Sequence, residues 1–372
     1  MLRDMRALAS CLLLLSLTGD QATAATDEST YGALLKEFPG RAGAYIDQNE
    51  ERGHAAAAQF FAFAREHRDA PEAVEALGWV ASHRIFDADA GEAMTWIAKD
   101  HIKSANLAAI LRELDRLYGD PFGPHEAMLR VVLKDSPHLD VRGTAALCLA
   151  RELLAKRTKA ERDTIQYDLF MKGAKVPFVA KPVATDVDLD RWSDEAAAPC
   201  EAIEGEPTYS DRLRDDAGAT LRQIRDLAIG SRAPEIEGRD HEGKPFRLSD
   251  FQGKVILLTF DSSGCGGCVA MYPAKRQMID RYKGRPFATV SIYCDDNLGY
   301  LKGAIASGAI TWRSWCDGGA DGPISRRWNV SGYPTIYVID GGGVIRHRFA
   351  HGFGLEETIE RMVGEAEKQA RQ

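Results

Sequence analysis

Cys265-Gly266-Gly267-Cys268, followed downstream by Ser331-Gly332-Tyr333-Pro334-Thr335, is the stretch from which the fold of this chain is read. Two cysteines spaced CxxC at the start of a helix make a reactive dithiol. Unpaired backbone N–H groups and the positive end of the helix dipole favour thiolate at the first cysteine. Cys265 is therefore the candidate nucleophile, and Cys268, one turn inside the helix, is placed to resolve a mixed disulfide. The flanking pattern gives the scaffold. Lys254–Phe260 is a continuous apolar run of the kind buried on both faces of a sheet. A helix is expected from Cys265 toward Tyr282, then a strand over Ala288–Tyr293, a helix over Leu298–Ser307 and a strand over Thr335–Ile339. Val344–Phe349 should pair across the Gly341–Gly343 turn, before a closing helix over Leu355–Lys368. Strands alternating with helices, then a hairpin and a last helix, describe a mixed α/β sheet.

At 372 residues the chain has room for two domains, each with its own core. Its net charge of −8, with no basic stripe, argues against nucleic acid as a partner. Seven cysteines in this length are too few for a disulfide-stapled scaffold, so their placement carries the meaning. Arg3 and Arg6, the apolar run Ala7–Leu17 and the closing Ala22-Thr23-Ala24 have the layout of a secretory signal peptide, residues 1–24. The apolar run is too short to span a bilayer. Leu8-Ala9-Ser10-Cys11 also matches a lipobox, but its leucines follow Cys11, which favours soluble, periplasmic export over a lipid anchor. Export places the other cysteines where disulfides form.

Residues 27–171 read as helices. Phe60, Phe61, Phe63 and Ala64, then Ala73, Leu77, Val80 and Ala81, recur at spacings of three and four around a break at Asp69-Ala70-Pro71. Further helical segments cover Ala93–His101, Leu107–Leu117, Glu126–Leu133 and Val141–Ala155. This is the pattern of an all-α helical-hairpin array of tetratricopeptide type, serving partner recruitment or simple packing. Residues 172–228, with Pro177, Pro182, Pro199 and Pro207, read as an irregular connector ending in a linking helix from about Tyr209 to Leu227. Cys148 reads as a small buried residue, and a Cys148–Cys200 bridge has no spacing argument behind it.

Residues 229–372 resemble the thioredoxin superfamily, in its exported TlpA/ResA-like redoxin branch. The resemblance rests on Ala233-Pro234-Glu235-Ile236, on Gly243–Lys254, on Cys265–Cys268 with Pro273 five residues beyond, and on Gly332-Tyr333-Pro334-Thr335. It implies a thioredoxin-like fold in which a cis-proline, Pro334, lies against the dithiol. Tyr333, Pro334 and Thr335 would then line the groove for an extended substrate peptide. It further implies thiol:disulfide exchange with protein substrates, no dissociable cofactor, no metal, and a redox partner that recycles the dithiol. This chain departs from the family at three positions. Gly264 stands where thioredoxins have Trp, Gly267 where they have Pro, and Thr259 where they bury an acid that moves protons. Asp261 is nearby but is expected on the opposite face of the strand. The redox direction therefore does not carry over.

Cys294 and Cys316 are candidate auxiliary thiols: buried or bridged structurally, paired as a relay, or joined with Cys265 and Cys268 in a metal site. His347 and His351, four apart with the first on a strand, are not at ligand spacing. Trp312 and Trp315 read as packing residues. Two other functional readings stand beside disulfide exchange. A thiol peroxidase of AhpC/TSA type would need a PxxxT/SxxC loop, and here Leu258 occupies the proline position. A non-catalytic scaffold would leave the CxxC without purpose.

Overall fold

The computed structural model describes residues 28–38, 50–84, 87–117, 121, 123–171, 180–349 and 354–369. The signal-peptide reading, Cys11 and His351 lie outside them. The N-terminal unit is built from α1 (Glu28–Glu37), α2 (Glu50–Glu66), α3 (Pro71–His83), α4 (Ala88–Asp100), α5 (Leu107–Leu117), α6 (Gly123–Asp135), α7 (Leu139–Met171), α8 (Asp186–Glu204) and α9 (Asp211–Arg225). One apolar core runs from Phe60, stacked on Trp79 at 3.9 Å, through Leu111, Leu129 and Leu149 to Ile203 and Ile224.

Two expectations fail in this unit. The first is the irregular connector: α8 runs through Pro199, and α8 and α9 belong to the helical core. An interior proline costs a helix about 3 kcal/mol through its lost N–H donor. Here a Thr185–Asp188 capping box starts the helix, and Ala196, Cys200 and Ile203 are buried around Pro199. The second is the length of α7, which continues well past Ala155. Its charged second half is supported by (i, i+4) pairs, Arg157–Glu161 at 2.8 Å and Lys159–Asp163 at 2.5 Å. Cys148 and Cys200 are free and buried, with no bridge between them.

The C-terminal unit begins with a small hairpin, β1 (Glu237–Arg239) and β2 (Pro245–Arg247). Then come β3 (Val255–Asp261), α10 (Gly266–Ala270), α11 (Tyr272–Arg281), β4 (Phe287–Tyr293) and α12 (Gly299–Ala306). The chain closes with β5 (Arg313–Cys316), α13 (Pro323–Arg327), β6 (Thr335–Ile339), β7 (Ile345–Phe349) and α14 (Leu355–Gln369). The sheet order is β5-β4-β3-β6-β7, with β3–β4 and β4–β5 parallel and β3–β6 and β6–β7 antiparallel. This is a thioredoxin-like fold. Every residue of β3 is buried, the apolar Val255–Leu258 and Phe260 as well as the polar Thr259 and Asp261. Val255 and Leu257 face α11 and α14, while Ile256, Leu258 and Phe260 face a layer containing Phe246, Trp315 and Trp328.

The chain entering this unit is sewn onto it. Leu227 is part of the core around Phe260. Gly230 N–H donates to Ile345 O at 2.8 Å, Ile345 N–H donates to Ser231 O at 2.9 Å, and Arg232 bridges to Val344. The start of the outer edge of β7, at Ile345, is thereby covered.

His347 on β7 gives a pH signature. Its ring is buried, and Arg361 Nη2 lies 3.2 Å from its Nε2, a contact that needs an unprotonated acceptor. Burial, then Arg361 and Arg346, lower its pKa from the usual 6.5 to about 4. The unfolded chain therefore binds the extra proton first. The stabilisation is complete above pH 6.5 and is lost as pH falls toward 4, amounting to about 2 kcal/mol at pH 5. Urea melts at pH 7.5 and pH 5 should show this loss in the native sequence and a smaller one in His347→Gln. An identical pH dependence in both would remove His347 as the cause.

Candidate active site

The dithiol lies where β3 hands over to α10. Ser262 Oγ donates to Asp295 Oδ1 and Ser263 N–H donates to Asp295 Oδ2, both at 2.7 Å, so the residue just beyond β4 holds the approach to Cys265. Burial raises the Asp295 carboxyl, but these two donors outweigh it and leave its pKa below the usual carboxylate range. Cys265 is the N-cap of α10, and its sulfur accepts the Cys268 N–H at 3.1 Å. Cys265 is half-buried, whereas Cys268 is fully buried, and the two form a disulfide. The helical stretch breaks at Met271 and resumes as α11 with Pro273 in its first turn.

The Tyr333–Pro334 peptide is cis. A Cβ added to Gly267 would sit 3.4 Å from Pro334 Cδ and 3.9 Å from Cys265 Sγ, so the proline, the CxxC backbone and the nucleophilic sulfur are neighbours. Tyr333 lies over the end of β4, where it meets Cys294. Burial pushes the Tyr333 hydroxyl up and the Cys294 thiol to about 11. Thr335 Oγ1 donates to Gly332 O at 2.8 Å.

The two further cysteines do not form a pair. Cys316 is in register with Tyr293 on one face of the sheet, while Cys294, the next residue along, is buried on the other beside Ser325. Alternation along β4 separates them, and both are free. This corrects the relay and four-thiolate readings. The same alternation separates the tryptophans. Trp315 Nε1 donates to Phe246 O at 3.1 Å, and Trp312 Nε1 donates across the opposite face to Ser291 Oγ at 2.8 Å.

Asp261 also corrects an expectation. It lies on the same face as Thr259, since residues two apart in a strand share a face. There Lys275 of α11, fully buried, reaches both. Lys275 Nζ donates to Thr259 Oγ1 at 2.6 Å, to Asp261 Oδ2 at 2.7 Å and to Ser291 Oγ at 3.4 Å. Thr259 and Ser291 hydroxyls donate to the same carboxylate oxygen at 2.9 Å. The Trp312 and Tyr272 rings flank the ammonium, with centroids at 4.9 and 5.9 Å. Burial lowers the Lys275 pKa, and Asp261 opposes that shift. Asp261 Oδ1 is buried without a hydrogen-bond partner. The sequence held a signal for this cluster. Cys268, Tyr272, Lys275 and Met278 form one buried stripe, and a lysine in such a stripe requires an anion.

In the helical unit, ligand atoms of His54, Asp87 and Asp89 fall within 4.8 Å of one another. Arg84 already supplies the cation, paired with Asp87 and with its Nε 3.4 Å from Asp89. Among the described residues, no helix is long and apolar enough to cross a membrane.

Residues 229–348 match the AhpC/TSA family. ResA, a thiol-disulfide oxidoreductase of Bacillus thuringiensis subsp. konkukian, is 27% identical over 119 residues, which cover 32% of this chain and 68% of that protein. A DsbE homolog, a thiol:disulfide interchange protein of Paracoccus denitrificans, is 28% identical over 161 residues, covering 42% of this chain and 83% of the relative. Among solved structures, the thioredoxin domain of a thiol-disulfide oxidoreductase from Bacteroides vulgatus is 28% identical with a TM-score of 0.35, covering 37% of this chain and 99% of that one. The C-terminal unit is thus a redoxin domain of thioredoxin-like fold, homologous to the ResA and DsbE thiol-disulfide oxidoreductases and joined to an all-helical N-terminal unit.

Proposed function

We propose that the chain is an exported thiol:disulfide oxidoreductase that exchanges disulfides with protein substrates through Cys265 and Cys268. The observation that carries this is the asymmetry of the pair: a half-buried cysteine at a helix cap, bonded to a fully buried one and set against Pro334. The exposed thiolate attacks a substrate disulfide and the buried thiol resolves the mixed disulfide, or the same steps run in reverse. Tyr333, Pro334 and Thr335 form the wall along which an extended substrate lies. A separate redox protein restores the dithiol or the disulfide.

Equilibration of the mature protein in graded thiol–disulfide buffers, with alkylation and mass spectrometry of the Cys265–Cys268 peptide, tests the reading. A reversible two-electron transition is expected. A midpoint near about −270 mV marks a reductant and one near about −120 mV an oxidant. A pair that never titrates would remove the proposal and return the scaffold reading.

The AhpC/TSA match makes peroxide reduction the second reading. Against it, Leu258 lies inside β3 and the Ser262 hydroxyl is engaged by Asp295. Hydrogen peroxide should therefore not be consumed above the background of the Cys265→Ser protein. Rapid consumption that depends on Cys265 would reverse the order of the two readings.

A further inference from the structure

The loop that carries Tyr333 and Pro334 leaves α13 through Asn329, whose φ of 45° lies in the left-handed region that L side chains rarely adopt. Asn329 N–H donates to Arg326 O at 3.2 Å, and Val330 N–H donates to Ser325 O at 3.0 Å. These two bonds are the Schellman ending of a helix, and they set the direction in which Val330–Pro334 departs. The far end of the loop is tied down within the redoxin unit. Thr335 Oγ1 donates to Gly332 O, and Tyr333 meets Cys294, whose sulfur lies 3.4 Å from Ser325 Oγ. Between the two ends, Ser331 and Gly332 are exposed.

The near end is held from the helical unit. Leu221 and Ile224 bury α9 in the helical core, and Gln223 between them reaches across to the redoxin unit. One end of its carboxamide lies 2.8 Å from that of Asn329, and the other lies 2.5 and 3.2 Å from the two terminal nitrogens of Arg348 on β7. A guanidinium only donates, so the Gln223 oxygen faces Arg348 and its –NH2 faces Asn329. Arg348 in turn lies over the Tyr337 ring, 5.7 Å from its centroid, and Tyr337 packs edge-on against Trp328, the residue before Asn329. Close packing does not hold this end of the loop. Asn329 and Val330 are half-buried and line a cleft of about 810 Å³ between α13 and α9.

We propose that the helical unit is part of the exchange site, with Gln223 a positioning residue that fixes Asn329 and so the loop along which a protein disulfide is bound. The proposal rests on the disulfide-exchange reading and assigns α9 a share in substrate affinity. A hydrogen bond to a charged group and a second to a carboxamide hold the loop before substrate arrives, so less ordering remains to be done on binding. A small disulfide needs only the Cys265 sulfur, whereas a polypeptide needs the loop as well. Gln223 therefore acts on protein substrates and leaves the chemistry of the dithiol alone.

Two assays of the full-length protein separate these effects: reduction of insulin with dithiothreitol as recycling reductant, and single-turnover reaction of the reduced protein with 5,5′-dithiobis(2-nitrobenzoate). Asn329→Gly keeps the left-handed backbone and removes the side chain. In Gln223→Ala and in Asn329→Gly, KM for insulin should rise about 5- to 10-fold, with kcat within about twofold of native. Their reaction with the small disulfide should keep the native rate. Gln223→Glu, whose carboxylate accepts from both Arg348 and the Asn329 –NH2, should restore the native KM. The double variant Gln223→Ala/Asn329→Gly should be no worse than either single one, since both break the same contact. A native KM in folded Gln223→Ala and Asn329→Gly overturns the proposal. So does a parallel loss with the small disulfide, a Gln223→Glu protein as impaired as Gln223→Ala, or single effects that multiply in the double variant. The exchange reading fails by a different result, in the native sequence: insulin reduction no faster than that of Cys265→Ser.

Discussion

Cys268→Ala should turn the protein into a trap. Its Cys265 still attacks, the mixed disulfide cannot be resolved, and substrate remains covalently attached until a small thiol is added. Cys265→Ser should lose exchange on a model disulfide by at least about 10³-fold, because the nucleophile itself is gone. The difference between the variants follows from burial. Cys265 is only half-buried at the cap of α10, and Cys268 is fully buried, so the first is the one placed to meet a protein-sized partner. Non-reducing electrophoresis of Cys268→Ala, incubated with a disulfide-containing protein, should show an added band that a reductant removes. An adduct formed by Cys265→Ser instead would invert the assignment.

The second large effect is on stability. Lys275 and Asp261 form an ion pair at 2.7 Å, with side-chain exposures of 0% and 5%. Removing one partner leaves a buried charge unpaired, at a cost of roughly 3–5 kcal/mol. Lys275→Met and Asp261→Leu should each lower the urea midpoint by that equivalent. The double variant, which removes both charges, should recover most of the loss. Trp312, whose indole N–H bonds Ser291 in the same cluster, gives a fluorescence probe of this unit. Losses that simply add in the double variant would mean the two groups are not coupled.

The parts of the fold that were legible in sequence are those where one physical requirement dominates. β3 reads as doubly buried because no polar residue interrupts Val255–Leu258, and β6 and the dithiol follow from equally local signals. α8 is not legible from its prolines, because the burial of Ala196, Cys200 and Ile203 that offsets Pro199 is a tertiary fact. The second half of α7 was missed because its charges follow helical pairing, not apolar periodicity. At the site, Asp261 was assigned to the wrong face although strand alternation alone places it beside Thr259. Lys275 is not legible there, because it reaches Asp261 from a separate helix, α11. That juxtaposition is tertiary. The separation of Cys294 from Cys316 required the register of β4 with β5, which neither segment states by itself.

The stitching of residues 227–232 onto the redoxin unit has a practical consequence for dissecting the chain. A shortened chain beginning at Ile229, where the family match begins, would leave a hole where Leu227 fills the core around Phe260. Starting past Arg232 would also bare the start of the outer edge of β7 at Ile345, where a second molecule could pair. A redoxin unit meant to stay monomeric should therefore start at or before Asp226, so the seam between the two halves falls at the C-terminal end of α9 and not at the first residue of the family pattern.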